Sequence, residues 1–347
     1  GWQMTSDVNN DYQKAYQLII KENITGRQVY DSGKKKSKNS QFISTPALTP
    51  NRHGYLWQVR VWDKSGKPSE WSQEQAIRIV GDEMDKSQWI GAITRKDARL
   101  PEGRFSNAEF KKDYFVEKWS PVDTLSSKSI ILRKEFSNEG KTITDAVVYV
   151  SGMGHYEMLI NGKKVGDSMF APLCSEYSKT IYYNTYDITS LLNKDGNAIN
   201  VLLGNGFFNV QRGDRYSKLM TSFGAPQMTM RMEINYSDGT SKTIVSDGSW
   251  KYALSPVTFN SIYGGESYDA RLVQGKACMP HFDDSAWKDA VLVEGAGGIL
   301  EPQTAQPIKI MERFGIKAWN YLPADSVASA SEKTKRTVSP HTFIADM

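Results

Sequence analysis

Residues 147–209 constrain this chain more than any other stretch, because nearly every step in them is a short alternating run closed by a tight turn. Val147 and Tyr149 alternate with Val148 and Val150. After Ser151-Gly152-Met153-Gly154, the run Tyr156-Glu157-Met158-Leu159-Ile160 repeats the pattern. A period of two belongs to a strand with one face in a core, and it leaves no helical face. The second run stops at Asn161-Gly162, which predicts a two-residue hairpin because both positions of that turn need positive φ. Lys163-Lys164-Val165-Gly166 is then the returning strand, and residues 181–186 are a third run. Asp195-Gly196-Asn197 turns the chain into Ala198-Ile199-Asn200-Val201-Leu202-Leu203. The sum is the core of an all-β sandwich.

The rest of the chain reads in units around that core. In residues 1–81, Tyr16, Leu18 and Ile20 alternate, and Tyr55, Trp57, Val59 and Val61 share one face of a long strand. These aromatics are assigned to a separate core, since alternation accounts for them without a ligand. In residues 82–127 the signal is mixed. Asp85-Lys86-Ser87-Gln88 reads as a short helical turn before a Trp89-Ile90-Gly91 strand. Residues 95–127, charged and carrying Pro101 and Pro121, read as a surface excursion with a short helix around 108–114. Ile130-Ile131-Leu132 opens the main sandwich, which runs to about residue 300. Residues 302–319 and 342–346 read as strands again, separated by a Ser/Ala/Lys-rich insert at 324–339.

The motifs then line up as a set. The Asn161-Gly162 hairpin with Val165-Gly166 after it is followed by a loop at Pro172, by Tyr186-Asp187-Ile188-Thr189 and by Gly196-Asn197-Ala198-Ile199-Asn200-Val201-Leu202-Leu203-Gly204-Asn205-Gly206. Later come Gly265-Glu266-Ser267-Tyr268-Asp269-Ala270-Arg271 and Phe282-Asp283-Asp284-Ser285-Ala286-Trp287. This order resembles the jelly-roll module near the N-terminus of bacterial α-L-rhamnosidases. Many galactose-binding-like sandwiches share the hairpin; the ordered set is what is specific. Residues 1–81 resemble a fibronectin type III sandwich with its first strand clipped, the module that leads the rhamnosidase chain.

The resemblance implies consecutive β-sandwiches: fibronectin III-like at 1–81, and a jelly roll at 128–300 inserted in a partial third sandwich made of 82–127 and 301–347. Glycoside hydrolysis needs two carboxyl groups across the scissile bond. In rhamnosidases these sit on a helical toroid downstream of such domains, so no residue here is assigned a catalytic role. The implied function is that of a non-catalytic N-terminal part of an inverting, exported α-L-rhamnosidase that hydrolyses terminal α-L-rhamnose from glycans. Its implied partners are a rhamnose-containing glycan and the downstream toroid. The alternative is a stand-alone carbohydrate-binding or structural spacer module of another exported glycosidase.

Composition bounds these readings. The chain has 347 residues, enough for two or three domains. With 43 basic and 39 acidic residues the net charge is +4, which makes no case for nucleic acid or a membrane surface. Lys34-Lys35-Lys36 reads as a solvated loop. No apolar run reaches the ~20 residues that span a bilayer. Both ends read as mid-strand, so the chain is expected to be a piece of a longer protein, and a missing signal peptide says little about export. Cys174 and Cys278 either pair in an oxidising compartment or stay free thiols. His53, His155, His281 and His341 are isolated and make no zinc site of the usual kind.

What remains for function is loop chemistry. Sugars are held by amide and carboxylate hydrogen bonds to hydroxyls and by stacking of an apolar ring face on an aromatic. Two Gly-containing segments combine those groups, and they give the candidate carbohydrate-binding residues Asn205, Phe207, Asn209, Glu266 and Tyr268. Asp269 and Arg271 either join them or form a structural pair that pins two loops. No cofactor is required. The resemblance leaves Ca²⁺ open, as family members bind rhamnose on such a module through it, but no ligands transfer residue by residue and metal ligands stay unknown.

Overall fold

In the computed structural model, residues 1–79, 84, 86–94, 103–106, 125–210, 219–322 and 342–346 are described. The first unit comprises β1 (Ala15–Glu22), β2 (Gln28–Asp31), β3 (Lys35–Lys36), β4 (Asn51–Trp62) and β5 (Gln75–Ile79), in the order β2-β1-β4-β5 with β3 also on β1. Register explains the core. Leu18 opposes Val59 and Ile20 opposes Trp57, and the alternating Tyr16, Leu18, Ile20, Tyr55 and Val59 are buried together with Trp57 and Val61 packed on them.

The second unit is a sandwich of two sheets. Its strands in chain order begin with β6 (Ile90–Gly91), β7 (Gly103–Ser106), β8 (Ile130–Ser137), β9 (Ile143–Met153), β10 (His155–Ile160), β11 (Lys163–Lys164), β12 (Thr180–Asp187), β13 (Gly196–Gly204) and β14 (Asn209–Val210). They continue through β15 (Leu219–Ser222), β16 (Gln227–Tyr236), β17 (Ser241–Val245), β18 (Lys251–Leu254), β19 (Val257–Ser261), β20 (Gly265–Tyr268), β21 (Lys288–Asp289), β22 (Val291–Leu292) and β23 (Ile299–Pro302). One main sheet has the order β11-β10-β13-β8-β18-β21, the other β22-β6-β16-β9-β12-β23 with β17 on β16, and β14-β15-β7 and β19-β20 form two small sheets of their own. Their inner faces meet in one core. Leu132, Met158, Val201 and Tyr252 come from the first sheet, and Val148, Val150, Met230 and Met232 from the second.

The Asn161-Gly162 turn closes the β10–β11 hairpin with φ of 51° and 77°, the primed geometry that the right-handed strand twist favours. Both faces of β9 are buried. Its second face carries Val147 and Tyr149 against Tyr183. Helix is limited, among the described residues, to two 3₁₀ turns, Thr189–Leu191 and Ala270–Leu272. No helix among them is long and apolar enough to cross a membrane.

The structure differs from the sequence reading at the edges of the jelly roll. Trp89-Ile90-Gly91, expected to open a third sandwich, instead enters the second sheet between β16 and β22, because Ile90 is fully buried in the main core. Ile299–Pro302 closes that same sheet in parallel with β12. Residues 303–317, expected as a strand, hold only an isolated bridge between Met169 and Ile308. Beyond them β24 (Ala318–Leu322) pairs with β25 (Thr342–Asp346). The expected helix at 108–114 and the insert at 324–339 lie outside the described residues. Cys174 and Cys278 are free thiols.

One carboxylate joins the two units. Asp145 on β9 accepts from His53 Nδ1 at 3.0 Å and Asn235 Nδ2 at 3.1 Å, and pairs with Arg78 at 2.9 Å. Burial pushes its carboxyl up, but the hydrogen bonds from His53 and Asn235 and the charge of Arg78 outweigh that and hold it below the ordinary 3.8. A depressed carboxylate stabilises the fold fully above the unfolded value and loses that contribution as pH falls through the folded one. Asp145→Ala is therefore expected to lower the melting temperature at pH 7, with a cost of ~3 kcal/mol for removing one member of a buried ion pair. The gap to the parent should narrow once the pH drops below 3.8. A melting series from pH 7 to pH 3 checks both; a gap constant with pH would contradict the assignment.

Candidate functional site

Alternation decides what β10 offers to solvent. Tyr156, Met158 and Ile160 enter the core, so His155 and Glu157 face outward. The register sets His155 beside Gly204 and Glu157 beside Leu202 of β13. These four residues floor a cleft of about 430 Å³ on the outer face of the first sheet. One wall is the loop of Ser168, Met169 and Phe170. The other is the β19–β20 hairpin with Val257, Asn260, Ser261, Ile262, Gly265 and Glu266.

A chain of ring contacts starts at the cleft-lining Phe170 and His155 and leads away from them through Phe207 and Tyr263. Phe170 lies 5.5 Å from His155, His155 lies 6.4 Å edge-on from Phe207, and Phe207 lies 6.3 Å edge-on from Tyr263. Phe170 is 55% exposed and sits at a φ of 52°, a left-handed conformation that a bulky side chain rarely adopts. The loop thus holds an aromatic face open rather than packing it. Burial lowers the His155 imidazole to about 4, so it is neutral at pH 7 and one ring nitrogen is an acceptor. Glu157 receives Lys164 at 2.7 Å, while Glu266 is exposed and makes no ion pair among the described residues.

The residues expected at the loop end divide. Glu266 lines the cleft, whereas Phe207 does not line it and meets the cleft residue His155 edge-on. Tyr268 is 58% exposed but does not line the cleft. Asn205 and Asn209, expected to project outward, are fully buried. Asn205 Nδ2 donates to the carbonyls of Ser127 at 2.8 Å and Asn260 at 3.2 Å, and its Oδ1 accepts from Asn209 Nδ2 at 2.9 Å. Asn209 Nδ2 also donates to the Ser126 carbonyl at 2.8 Å. Gly206 at a φ of 52° turns this loop inward; a Cβ there would stand 2.9 Å from the His155 backbone nitrogen. The two amides therefore tie strand ends together.

Asp269 and Arg271 form a two-point ion pair, Nε to Oδ1 at 2.8 Å and Nη2 to Oδ2 at 2.6 Å. It lies within one turn, where Asp269 also caps the 3₁₀ segment through the Arg271 N–H, and it pins no second loop. Among the described residues no three His, Cys, Asp or Glu side chains converge. In the cleft the Glu157 carboxylate is already held by Lys164. Sequence reasoning missed His155, Glu157, Phe170 and Asn260. The first two were legible as the outward half of an alternating strand, but nothing local announced that a distant hairpin would roof them.

Fold and cleft together define a pair of all-β domains, the second with a cleft lined by an aromatic ring and carboxylates on its outer face. Comparison with known proteins gives the family. Residues 141–312 match the alpha-L-rhamnosidase N-terminal domain, and residues 1–80 match the Rha78A-like N-terminal immunoglobulin domain. The chain belongs to the N-terminal region of the α-L-rhamnosidases. Immunoglobulin and fibronectin III domains share the sandwich architecture, so the expected first unit is of this kind.

An alpha-L-rhamnosidase of Formosa agariphila is 34% identical over 298 residues, covering 82% of this chain and 30% of the relative. One from Alteromonas sp. (strain LOR) is 27% identical, covering 93% and 34%. The solved alpha-L-rhamnosidase of Dictyoglumus thermophilum is 30% identical with a TM-score of 0.65, covering 90% of this chain and 33% of that one. The chain thus spans about a third of the length of the curated relatives it matches.

Proposed function

We propose that this chain is the non-catalytic N-terminal part of an exported α-L-rhamnosidase that removes terminal α-L-rhamnose from glycans, and that its jelly roll holds a sugar in the outer-face cleft. The observation that carries the binding reading is the exposed, strained Phe170 facing Glu266 across a preformed cavity. A sugar laid there can stack its apolar face on the ring while its hydroxyls reach the Glu266 carboxylate, the Glu157–Lys164 pair and the neutral His155. The export reading and the glycan partner rest on the family. The catalytic toroid is assigned to the remaining two thirds of the relatives' length.

Calorimetric titration of the chain with L-rhamnose should give weak binding that is the same with Ca²⁺ and with a chelator. Phe170→Ala or Glu266→Gln should each weaken it by roughly five- to tenfold, the effect of losing ~1 kcal/mol. An aryl α-L-rhamnoside should not be turned over. Absence of binding, or affinity indifferent to both substitutions, would leave the domain a spacer, and turnover would overturn the non-catalytic reading.

A further inference from the structure

We infer that the cleft is the first section of a longer groove and that its ligand is a neutral oligosaccharide rather than a single sugar, an inference that rests on the sugar-binding reading of the cleft. Met169 lines both the cleft and a neighbouring cavity of about 600 Å³. Lys164 and Met169 stand between the two. Lys164, on the second cavity, donates to Glu157, on the first, at 2.7 Å, and its Nζ lies 3.5 Å from Met169 Sδ.

The second cavity is a built one. Its outer wall is the strap of residues 303–313, and the strap is fastened at three points. Gln303 accepts from Leu173 N at 3.0 Å and Asn184 Nδ2 at 3.2 Å. The Met169 amide donates to the Ile308 carbonyl at 2.8 Å. Lys309 pairs with Asp167 at 2.8 Å. A groove held this way needs little ordering when a ligand enters.

Its chemistry fits sugar residues. Met311 and Ile310 expose apolar surface, 90% and 48% respectively. Lys309, Arg313, Asp167 and Glu312 supply donors and acceptors around them. Lys164 and Lys309 are each answered by a carboxylate, so the groove carries no surplus of positive charge for a free anion, and hydroxyl groups suit its alternation of donors and acceptors. A terminal residue on Phe170 would send its neighbour over Met169 toward Arg313.

The test is a calorimetric series with methyl α-L-rhamnoside and α-linked rhamnosyl di- and trisaccharides on the intact chain. Affinity is expected to rise at least tenfold from the monosaccharide to the longer ligands. Arg313→Ala should cancel most of that rise while leaving monosaccharide affinity and melting temperature unchanged. Lys309→Ala, which unfastens one point of the strap, should cancel the rise as well and lower the melting temperature slightly. Affinity independent of ligand length, or equal weakening of all ligands by Arg313→Ala, would overturn the groove while the single-sugar cleft stands. Failure of every saccharide to bind would remove both readings together.

Discussion

Arg133→Ala is expected to cost ~3–5 kcal/mol, from two carbonyls losing their donor at ~1–3 kcal/mol each and from the weakened ion pairs. In a domain of this size that is a drop of roughly 10 °C in melting temperature. The guanidinium is 1% exposed on β8. Nε donates to the Ala277 carbonyl at 3.0 Å, Nη2 to the Met279 carbonyl at 3.1 Å and to Glu135 at 2.6 Å, Nη1 donates to Asp284, and the Phe282 ring lies 5.5 Å away. One side chain thus fastens the whole 277–284 loop over the outer face of the first sheet. Lys251 holds the other oxygen of Asp284 at 2.8 Å, so the carboxylates keep partial compensation, and the larger loss is the two orphaned carbonyls. Arg133→Lys keeps the charge but cannot fill the fork, and its melting point should fall between parent and alanine variant. Scanning calorimetry of the three proteins decides it; equal melting points for parent and alanine variant would mean that the loop is held by the Phe282 and Trp287 packing alone.

The sequence made the interior legible and left the exterior obscure, for a physical reason. Alternation in residues 155–160 states which side chains are inside whatever the partners are, and the Asn161-Gly162 turn fixes its own register through φ. Sheet membership is another matter. The two-residue strand Ile90–Gly91 has no period of its own, and its pairing with Met228 and Leu292 depends on residues more than a hundred positions away. Arg133 reads in sequence as the polar half of an alternating strand, and only the return of the 277–284 loop buries it. The same holds for the cleft. Glu266 was legible because its segment combined a carboxylate with glycines, while His155 and Glu157 became site residues only when the β19–β20 hairpin closed over them.

Asn205 shows how a glycine-flanked polar residue misleads. Gly204-Asn205-Gly206 has the composition of an exposed recognition loop, yet Gly206 uses its positive φ to turn the amide into the end of the sandwich. There it ties Ser127 and Asn260 to Asn209, and its own backbone N–H is received by Asn260 Oδ1 at 2.7 Å. Asn205→Ala would remove the bonds to two part-buried carbonyls and the one to Asn209 Nδ2, at ~1–3 kcal/mol for each carbonyl left without its donor. The expected result is a melting temperature lower by roughly 10 °C, with sugar affinity close to that of the parent when measured well below the transition. Asn209→Ala should behave alike. The double variant should cost less than the sum, because the Asn205–Asn209 bond is lost only once. Glu266→Gln is the contrasting case, an exposed change within about 0.5 kcal/mol in stability that weakens binding. If Asn205→Ala instead abolished affinity without lowering the melting temperature, the amide would have to reach the ligand, and the loop end rather than the sheet face would be the binding surface.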